Sequence, residues 1–424
     1  MESHMASLDE LDLGEDDRDF ELRLRAMCGL FLSIHRKKVY FLHQTAREFL
    51  LAKSPPLAVT PYTWRHSISE LQAHSQLVRV CVQYIYLLDP DVVHNPRFHN
   101  PCPYCATPFL AYSRSYWHYH IRHGDLDDDV GFLTTAAAIC EPGSKHLRTW
   151  TERTRGWEGL FYTATTASTS LHYPAALGCN PLVHHIIRTM GDEEFKAAHN
   201  TTTSTPLTLA ARYGYPDTVK LLIEAGAKVD AGTKVGAHFT NRTPLNQAVL
   251  HGKLECAITL LDYGASFDHV LDSDSRETLL HVACMYGSEE MVKLLVKRGI
   301  NVNSTNSDGD TPLITASSVP GDLRKSDGLK IARVLVGKGA NLDIANEEGQ
   351  TALMKAIRNH KWDLARFFVE QGADPNLQSC KGDLALHIVR YDLDEWGRVE
   401  SLARALVEKF VLLEAPNHQG LTPL

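Results

Sequence analysis

The chain has 424 residues, of which 22% are charged and 44% hydrophobic, and it carries a formal net charge of −8 at pH 7. This composition is typical of a globular protein with two or three domains, or with one domain and a repeat array. The mildly acidic balance excludes a general electrostatic attraction to nucleic acid or to anionic membranes.

Nine cysteines are spread along the chain, and apart from Cys102 and Cys105 they stand singly among apolar residues. Isolated cysteines in apolar surroundings are typical of reduced, buried thiols inside the cell. The longest apolar run, residues 78–88, contains Arg79 and Gln83 and is too short to span a bilayer. We therefore expect a cytoplasmic protein, with the nucleus as the alternative, and no membrane partner.

Residues 1–20 are acidic and lack an apolar core, which predicts a disordered N-terminus and not a signal peptide. The stretch "SHMAS" is typical of a cloning scar, so residues 1–7 are either native or derived from a vector.

Residues 28–52, "CGLFLSIHRKKVYFLHQTAREFLLA", predict two alternating strands, Leu30–Ile34 and Val39–Leu42, and then an amphipathic helix from Gln44. A hairpin beside helices is typical of the end of a winged-helix domain, which we place at residues 21–60. The basic turn between the strands either contacts phosphates or is a solvated hairpin tip, and the pattern favours the solvated tip.

Two helices are predicted in the next region, residues 61–162, which we interpret as a helical linker domain. Apolar residues follow helical spacing over residues 67–89 and again over residues 108–121. In the second helix, one shared side carries Phe109, Tyr112, Tyr116 and Tyr119.

Four residues in this linker region have the order and spacing of a two-cysteine, two-histidine zinc site: Cys102, Cys105, His118 and His123. A zinc finger also needs an apolar residue where Ser115 stands, and the acidic "DLDDD" that follows is a poor neighbour for phosphate. We therefore favour two metal-free thiols in a proline-rich turn followed by a helix. A zinc-dependent nucleic-acid-binding protein is the alternative, and zinc content would distinguish the two.

A Thr-Pro-Leu phrase, or a close variant of it, recurs through the second half of the chain. Its copies begin at Thr169, Thr205, Thr243, Thr278, Thr311, Thr351, Leu384 and Thr422. Successive starts lie 33 to 40 residues apart, which matches ankyrin repeats with short insertions. Where the phrase is complete, its proline opens a first helix, and in five units a glycine ends the second helix: Gly226, Gly264, Gly299, Gly339 and Gly372. Stacked units bury one continuous core, so the expected fold is mainly α, an ankyrin solenoid over residues 163–424.

Two polar insertions interrupt the array, one at residues 317–328 and one at residues 391–401. The chain also stops inside the first turn of an eighth copy, without the polar capping repeat that a solenoid needs. We therefore expect a fragment of a longer array.

Three stretches placed ahead of ankyrin copies resemble fungal NLR-like STAND proteins: "GLFLSIHRKKVYFLHQTAREFLL", "RVCVQYI" and "PFLAYSRSYWHYH". In that family a NACHT nucleotide-binding domain precedes a winged helix, a helical linker and an ankyrin sensor. The resemblance begins near residue 21 and implies that Tyr112, Trp117 and His120 are linker-helix positions. No Gly-x-x-x-x-Gly-Lys-Ser/Thr loop occurs in the sequence. We therefore expect no nucleotide site in this chain, and any NACHT domain would be encoded upstream.

No catalytic motif stands out, so neither an enzyme nor a cofactor is predicted. His172, His281 and His387 follow the Thr-Pro-Leu phrase, where ankyrin histidines hydrogen-bond the backbone of a neighbouring loop. The predicted function is a non-enzymatic protein–protein interaction module with a concave binding surface. We expect partner contacts, or alternatively ordinary solvent-facing positions, at Arg212, Tyr213, Leu250, His251, Met285, Tyr286, Arg358 and Asn359.

Overall fold

The computed structural model describes residues 11–12, 32–35, 38–41, 70–87, 108–126, 129–147, 169–199, 204–235, 240–267, 275–286, 288–318, 328–389, 396–409 and 412–423. Its chain divides into two compact units. The described residues up to 210, together with 220–226, belong to the first unit, and 211–219 with those from 227 onward belong to the second.

The first unit begins with a small antiparallel sheet of order β1-β3-β2, formed by β1 (Leu11–Asp12), β2 (Leu32–His35) and β3 (Lys38–Phe41). Strands β2 and β3 confirm the predicted hairpin, whereas the helix predicted from Gln44 lies outside the described residues. Residues 11 and 12 of the tail for which we predicted disorder form strand β1, where Leu11 pairs with Val39. The acidic composition of the tail gave no indication of a strand.

Both predicted linker helices are present, as α1 (Glu70–Leu87) and α2 (Pro108–His123). They pack against each other, and α1 also packs against α3 (Val130–Ile139). The N-cap of α3 is Asp129, which accepts a hydrogen bond from Phe132 N and forms an ion pair with Arg79 of α1.

The buried face of α2 differs from the side that the aromatic spacing indicated. Ser113, Trp117 and Ile121 are completely buried, at positions i, i+4 and i+8 of one helix face. Tyr116 and Tyr119, which we expected on a shared apolar side, are 47% and 41% exposed. A tyrosine keeps a polar end that favours contact with water, so the large indole of Trp117 fills the core instead.

Helices of the repeat array follow in pairs, apart from the additional helix α6. The bounds are α4 (His172–Leu177), α5 (Asn180–Thr189), α6 (Asp192–His199), α7 (Pro206–Tyr213), α8 (Pro216–Glu224), α9 (Pro244–Leu250), α10 (Leu254–Asp262), α11 (Leu279–Met285), α12 (Glu289–Lys297), α13 (Pro312–Ser318), α14 (Gly328–Val336), α15 (Ala352–Arg358), α16 (Trp362–Glu370), α17 (Ala385–Ile388) and α18 (Trp396–Glu408). A short hairpin of β4 (Thr233–Val235) and β5 (Thr240–Arg242) lies between α8 and α9. The predicted solenoid of helix pairs is confirmed.

The helix entrances follow the Thr-Pro-Leu phrase. Thr243 is the N-cap of α9, and its hydroxyl accepts a hydrogen bond from Asn246 N at 3.2 Å. Thr351 caps α15 in the same way through Met354 N. A threonine oxygen satisfies one of the backbone donors that every helix start leaves unpaired, which explains the recurrence of this residue.

The second predicted insertion is partly helical. Residues 396–401 belong to α18, where Val399, Leu402 and Leu406 are buried at 2%, 0% and 0% exposure. Their spacing of three and four residues produces one apolar helix face among polar neighbours. The expectation of a polar insertion is therefore wrong for residues 396–401, because Arg398, Glu400 and Ser401 lie on the exposed or half-buried side of a helix. The middle of the first insertion, residues 319–327, lies outside the described residues.

Loops between the repeats of the second unit join through the main chain. Glu347 N donates to Asp308 O at 2.9 Å, and Cys380 N donates to Glu348 O at the same distance. His418 N donates to Lys381 O at 3.0 Å. Consecutive loops therefore form a ladder of backbone hydrogen bonds along this edge of the unit.

Candidate functional site

The histidines of the Thr-Pro-Leu-His phrase hold loops in place, as predicted. His281 accepts a hydrogen bond at Nδ1 from Thr278 N (3.2 Å) and donates from Nε2 to Asp310 O (2.9 Å). His172 and His387 make the equivalent bonds to the carbonyls of Ser204 and Leu421. Burial lowers the pKa of His281, opposed by its hydrogen bond to Asp310. With both ring nitrogens engaged, these imidazoles act as structural links.

His118 and His123, the two described members of the candidate zinc motif, contact different neighbours. The backbone carbonyl of buried His118 accepts a hydrogen bond from the thiol of Cys179 at 3.8 Å. His123 is exposed, donates from Nδ1 to Tyr119 O at 2.7 Å, and has its ring centroid 5.5 Å from that of His74. Cys102 and Cys105 lie outside the described residues. Within the described ranges, no three His, Cys, Asp or Glu side chains are grouped so as to hold a metal ion.

The cysteines of the described part differ in exposure. Five of them are buried, and Cys380 is exposed, so the expectation of buried thiols is wrong at that position. Cys380 follows the turn after α16, and its thiol donates to Glu347 O at 3.3 Å. The polar loop ladder, which the sequence pattern did not reveal, accounts for its place at the surface.

The predicted contact residues all lie in the second unit, at the C-terminal ends of the first helices of their repeats. We call them the concave row: Arg212, Tyr213, Leu250, His251, Met285, Tyr286, Arg358 and Asn359. Each of the eight is exposed or half-buried. The residues preceding them on the same helices, such as Val249, Cys284 and Ile357, are at most 1% exposed. The row thus begins where each first helix leaves the core.

Four members of the row occupy one repeated position. Tyr213 is the last residue of α7, and the C-caps of α9, α11 and α15 are His251, Tyr286 and Asn359. Gly214 and Gly252 follow two of them with φ angles of +88° and +65°, as the helix-ending role requires. Glycine 287, after Tyr286, lies outside the described residues.

Tyr213 is the best-defined aromatic side chain of the row. The guanidinium carbon of Arg212 lies 5.7 Å from the centroid of the Tyr213 ring, within range of a cation–π contact. Burial raises the pKa of Tyr213, against the lowering influence of Arg212. Its phenol is therefore neutral at physiological pH.

Asn359 has a structural role in addition to its surface position. Its Nδ2 donates to Ser317 O at 3.1 Å, and nearby Lys361 Nζ donates to Ala316 O at 2.9 Å. Both bonds join the α15–α16 repeat to the end of α13. Lys253 occupies the place equivalent to Lys361 and lies over Gly214, where an added Cβ would be 2.7 Å from Lys253 Cδ.

An open cleft of about 650 Å³ adjoins the row at Arg358. Sequence reasoning named Arg358 and His387 but missed Lys381, His360 and His418, because these come from separate loops. The cleft is lined by Ile357, Arg358, His360, Cys380, Lys381, Asp383, His387, Ile388, Asn417, His418 and Gln419.

Family comparisons agree with this fold. The family described as "Ankyrin repeats (3 copies)" matches residues 171–271 and 266–326, and "Ankyrin repeats (many copies)" matches residues 335–389. The chain is an ankyrin-repeat protein, and its array is a protein–protein interaction module. Neither matching family is an enzyme family. Among the described helices, none is long and apolar enough to cross a membrane.

Individual relatives share the array. The B-cell lymphoma 3 protein homolog of Mus musculus is 33% identical over 195 residues, covering 45% of this chain and 41% of the relative. The B-cell lymphoma 3 protein of Homo sapiens is 31% identical over 229 residues, covering 52% of this chain and 47% of the relative. The chain thus spans less than half the length of these relatives.

Solved structures of ankyrin domains are also similar. The ankyrin repeat domain of Bcl-3, described as a unique member of the IkappaB protein family, is 28% identical with a TM-score of 0.46. That match covers 55% of this chain and 97% of the solved one. The ankyrin repeat domain of human ASB11 is 23% identical with a TM-score of 0.45, covering 56% and 96% of the two chains.

Proposed function

We propose that this protein binds a partner protein through the concave row. The observation that carries the proposal is the repeated placement of Tyr213, His251 and Tyr286 in successive repeats, each outside a buried first-helix core. Tyrosine and arginine are the side chains that most often anchor protein interfaces. The matched families indicate protein binding as the class of function, and the concave row is the surface that we propose for it.

The test uses the full chain and a variant carrying Tyr213→Ala, His251→Ala and Tyr286→Ala together. Each protein is used in a pull-down, and the retained proteins are quantified by mass spectrometry. A protein that the wild type retains and the variant does not is the partner. That partner is then titrated against each single variant, and at least one should lose about 2 kcal/mol of binding free energy. Tyr263→Ala is the matched control, because Tyr263 is an exposed tyrosine at the end of a second helix, α10.

Two outcomes would contradict the concave row. Normal partner binding by all three single variants would move the site to the insertion at residues 317–328. Each variant should also keep its free energy of unfolding within about 0.5 kcal/mol, as surface substitutions do. A large loss of stability would assign these side chains to the core.

We also propose an origin for the region that precedes the array. By the resemblance stated above, residues 21–60 correspond to a winged helix, 61–162 to a helical linker, and 163–424 to the ankyrin sensor of a fungal NLR-like STAND protein. The paired strands β2 and β3 and the packed helices α1 and α2 support this assignment. The upstream coding sequence tests it, since a Gly-x-x-x-x-Gly-Lys-Ser/Thr loop of a NACHT domain is expected there.

A cytoplasmic location is part of the same proposal. Five buried cysteines in the described part are free thiols, which suits a reducing compartment. A fluorescent fusion seen at the cell surface or in the secretory pathway would contradict it.

A further inference from the structure

The cleft beside Arg358 differs from the surrounding surface in its charge. It is lined by the arginine Arg358, the lysine Lys381 and three histidines, and by a single carboxylate, Asp383. The chain as a whole carries a net charge of −8. With the histidines neutral at pH 7, Arg358 and Lys381 still outweigh the charge of Asp383, and a local excess of positive charge favours a negatively charged ligand.

The one carboxylate of the cleft already has a partner. Asp383 Oδ1 accepts a hydrogen bond of 2.7 Å from Asn417 Nδ2, which joins two neighbouring loops. Arg358 and Lys381, in contrast, form no ion pair with any residue of the described part of the chain. Basic residues on the nearby second helices do form such pairs: Arg366 with Glu370, and Arg404 with Glu400. Arg358 and Lys381 therefore face the cleft without a carboxylate partner from the described residues.

The walls of the cleft are held by the backbone. His418 N donates to Lys381 O at 3.0 Å, and the ring of His418 lies close to Gly382, whose added Cβ would be 2.8 Å from the ring carbon Cδ2. His387 uses Nδ1 for Leu384 N and Nε2 for Leu421 O. These links fix the cleft before a ligand arrives, which reduces the entropy lost on binding.

We propose that this cleft binds an acidic segment of a partner protein, with Arg358 and Lys381 as the charged contacts. This inference rests on the proposed function that the array binds a protein. A guanidinium forms bidentate hydrogen bonds with a carboxylate, and the lysine ammonium adds a second point of attraction. Half-buried Ile388 supplies an apolar wall for the aliphatic parts of the peptide side chains.

Nucleic acid fits the cleft less well than an acidic peptide. Its lining contains no Phe, Tyr or Trp, the side chains on which unpaired bases chiefly stack. The net negative charge of the chain also opposes a long polyanion, whereas a short acidic peptide meets only the local field.

The test is a fluorescence-anisotropy titration of the full chain with a labelled peptide of about twelve residues, rich in Asp and Glu. A peptide with Asn and Gln in their place is the uncharged control. We expect the acidic peptide to bind and its affinity to fall as salt rises from about 50 to 300 mM, because exposed charges are screened. The uncharged peptide should not bind.

Two double variants separate the cleft from general electrostatics. Arg358→Gln with Lys381→Gln should weaken acidic-peptide binding about tenfold or more. Lys297→Gln with Lys338→Gln removes the same charge from exposed positions that do not line the cleft, and should change the affinity less than about twofold. Thermal melting of both proteins checks that they remain folded.

Several results would overturn the inference: no salt-sensitive binding of the acidic peptide up to about 1 mM, equal weakening by the two double variants, or tighter cleft-dependent binding of a labelled single-stranded DNA. The protein retained by the concave row is titrated in parallel. If the partner protein binds but the acidic peptide does not, the cleft proposal is wrong and the concave row stands. If the acidic peptide binds but no partner depends on the concave row, the concave row is wrong and the cleft proposal stands.

Discussion

Lys361 Nζ donates a hydrogen bond to the backbone carbonyl of Ala316, which lies 45 residues earlier in the chain. The carbonyl belongs to the last turn of α13, and Lys361 is the N-cap residue of α16. A charged donor thus satisfies a helix-end carbonyl of the preceding repeat, and burial lowers the pKa of this lysine. Contacts of this kind couple neighbouring repeats, on which the stability of a solenoid depends.

Removing this link should destabilise the array. Lys361→Met keeps most of the aliphatic stem but leaves the Ala316 carbonyl without its donor, and we expect a loss of about 1–3 kcal/mol in the free energy of unfolding. Urea unfolding followed by circular dichroism measures it. Lys338→Met, at an exposed lysine, is the control and should change stability by less than about 0.5 kcal/mol. Equal effects of the two substitutions would reject the link.

The metal-free interpretation of residues 102–123 can be tested directly. Cys102→Ser together with Cys105→Ser should leave the free energy of unfolding within about 1 kcal/mol of the wild type, because a structural zinc site would contribute far more. Elemental analysis of the purified wild type should find no stoichiometric zinc. Zinc at one equivalent that disappears in the double variant would establish the alternative.

The periodic part of the fold could be predicted from the sequence. The threonine, proline and glycine that begin and end many of the units impose local backbone requirements, so their recurrence indicates the helix pairs without knowledge of distant contacts. The hydrogen bonds of His281 followed from the same repeat pattern.

Features that depend on which loops meet could not be predicted. Lys381 and His418 are 37 positions apart, and only the backbone ladder brings them into one cleft with Arg358. The burial of Trp117 in place of Tyr116 likewise depends on the surface that α1 presents to α2. Helical spacing shows that a face exists but not which of two faces a neighbour will cover.

The loop ladder gives a second reason for glycine at position 349, in addition to the geometry of the turn. Gly349 has a φ of +69°, and a Cβ added there would lie 2.7 Å from Cys380 N, the donor of the next rung. Gly264 has a similar φ of +82°, but no atom lies within 4 Å of its added Cβ. The two positions therefore separate backbone strain from the close approach of the loops.

Gly349→Ala should cost more stability than Gly264→Ala. Both carry the penalty of a left-handed alanine, about 1 kcal/mol, and Gly349→Ala should add a further 1–2 kcal/mol or so from the displaced rung. Chemical denaturation of the two variants gives the difference. Hydrogen exchange at Cys380 should also accelerate in Gly349→Ala alone. Equal losses of unfolding free energy in the two variants would mean that the loop ladder can shift to accommodate the added Cβ without loss of stability.

His281 should make the stability of the array depend on pH. Burial lowers its pKa in the folded state below the model-peptide value of 6.5, so the unfolded chain takes up a proton first as the pH falls. This histidine therefore contributes no pH dependence above about pH 7.5, and stability is lost as the pH falls through about 6.5, by at most about 1.4 kcal/mol per pH unit.

His281→Asn isolates that contribution, since Asn246 occupies the equivalent place in the α9 repeat. At about pH 8 both states of His281 are neutral, so the variant should lose only the hydrogen bond to Asp310, about 1–3 kcal/mol. Between about pH 7 and pH 5 the wild type should lose stability faster than the variant, and the two unfolding curves should converge. Free energies from urea unfolding at several pH values give both quantities. Parallel pH profiles would show that His281 keeps its proton affinity on folding, which its burial and the hydrogen bond from Thr278 N to its Nδ1 oppose.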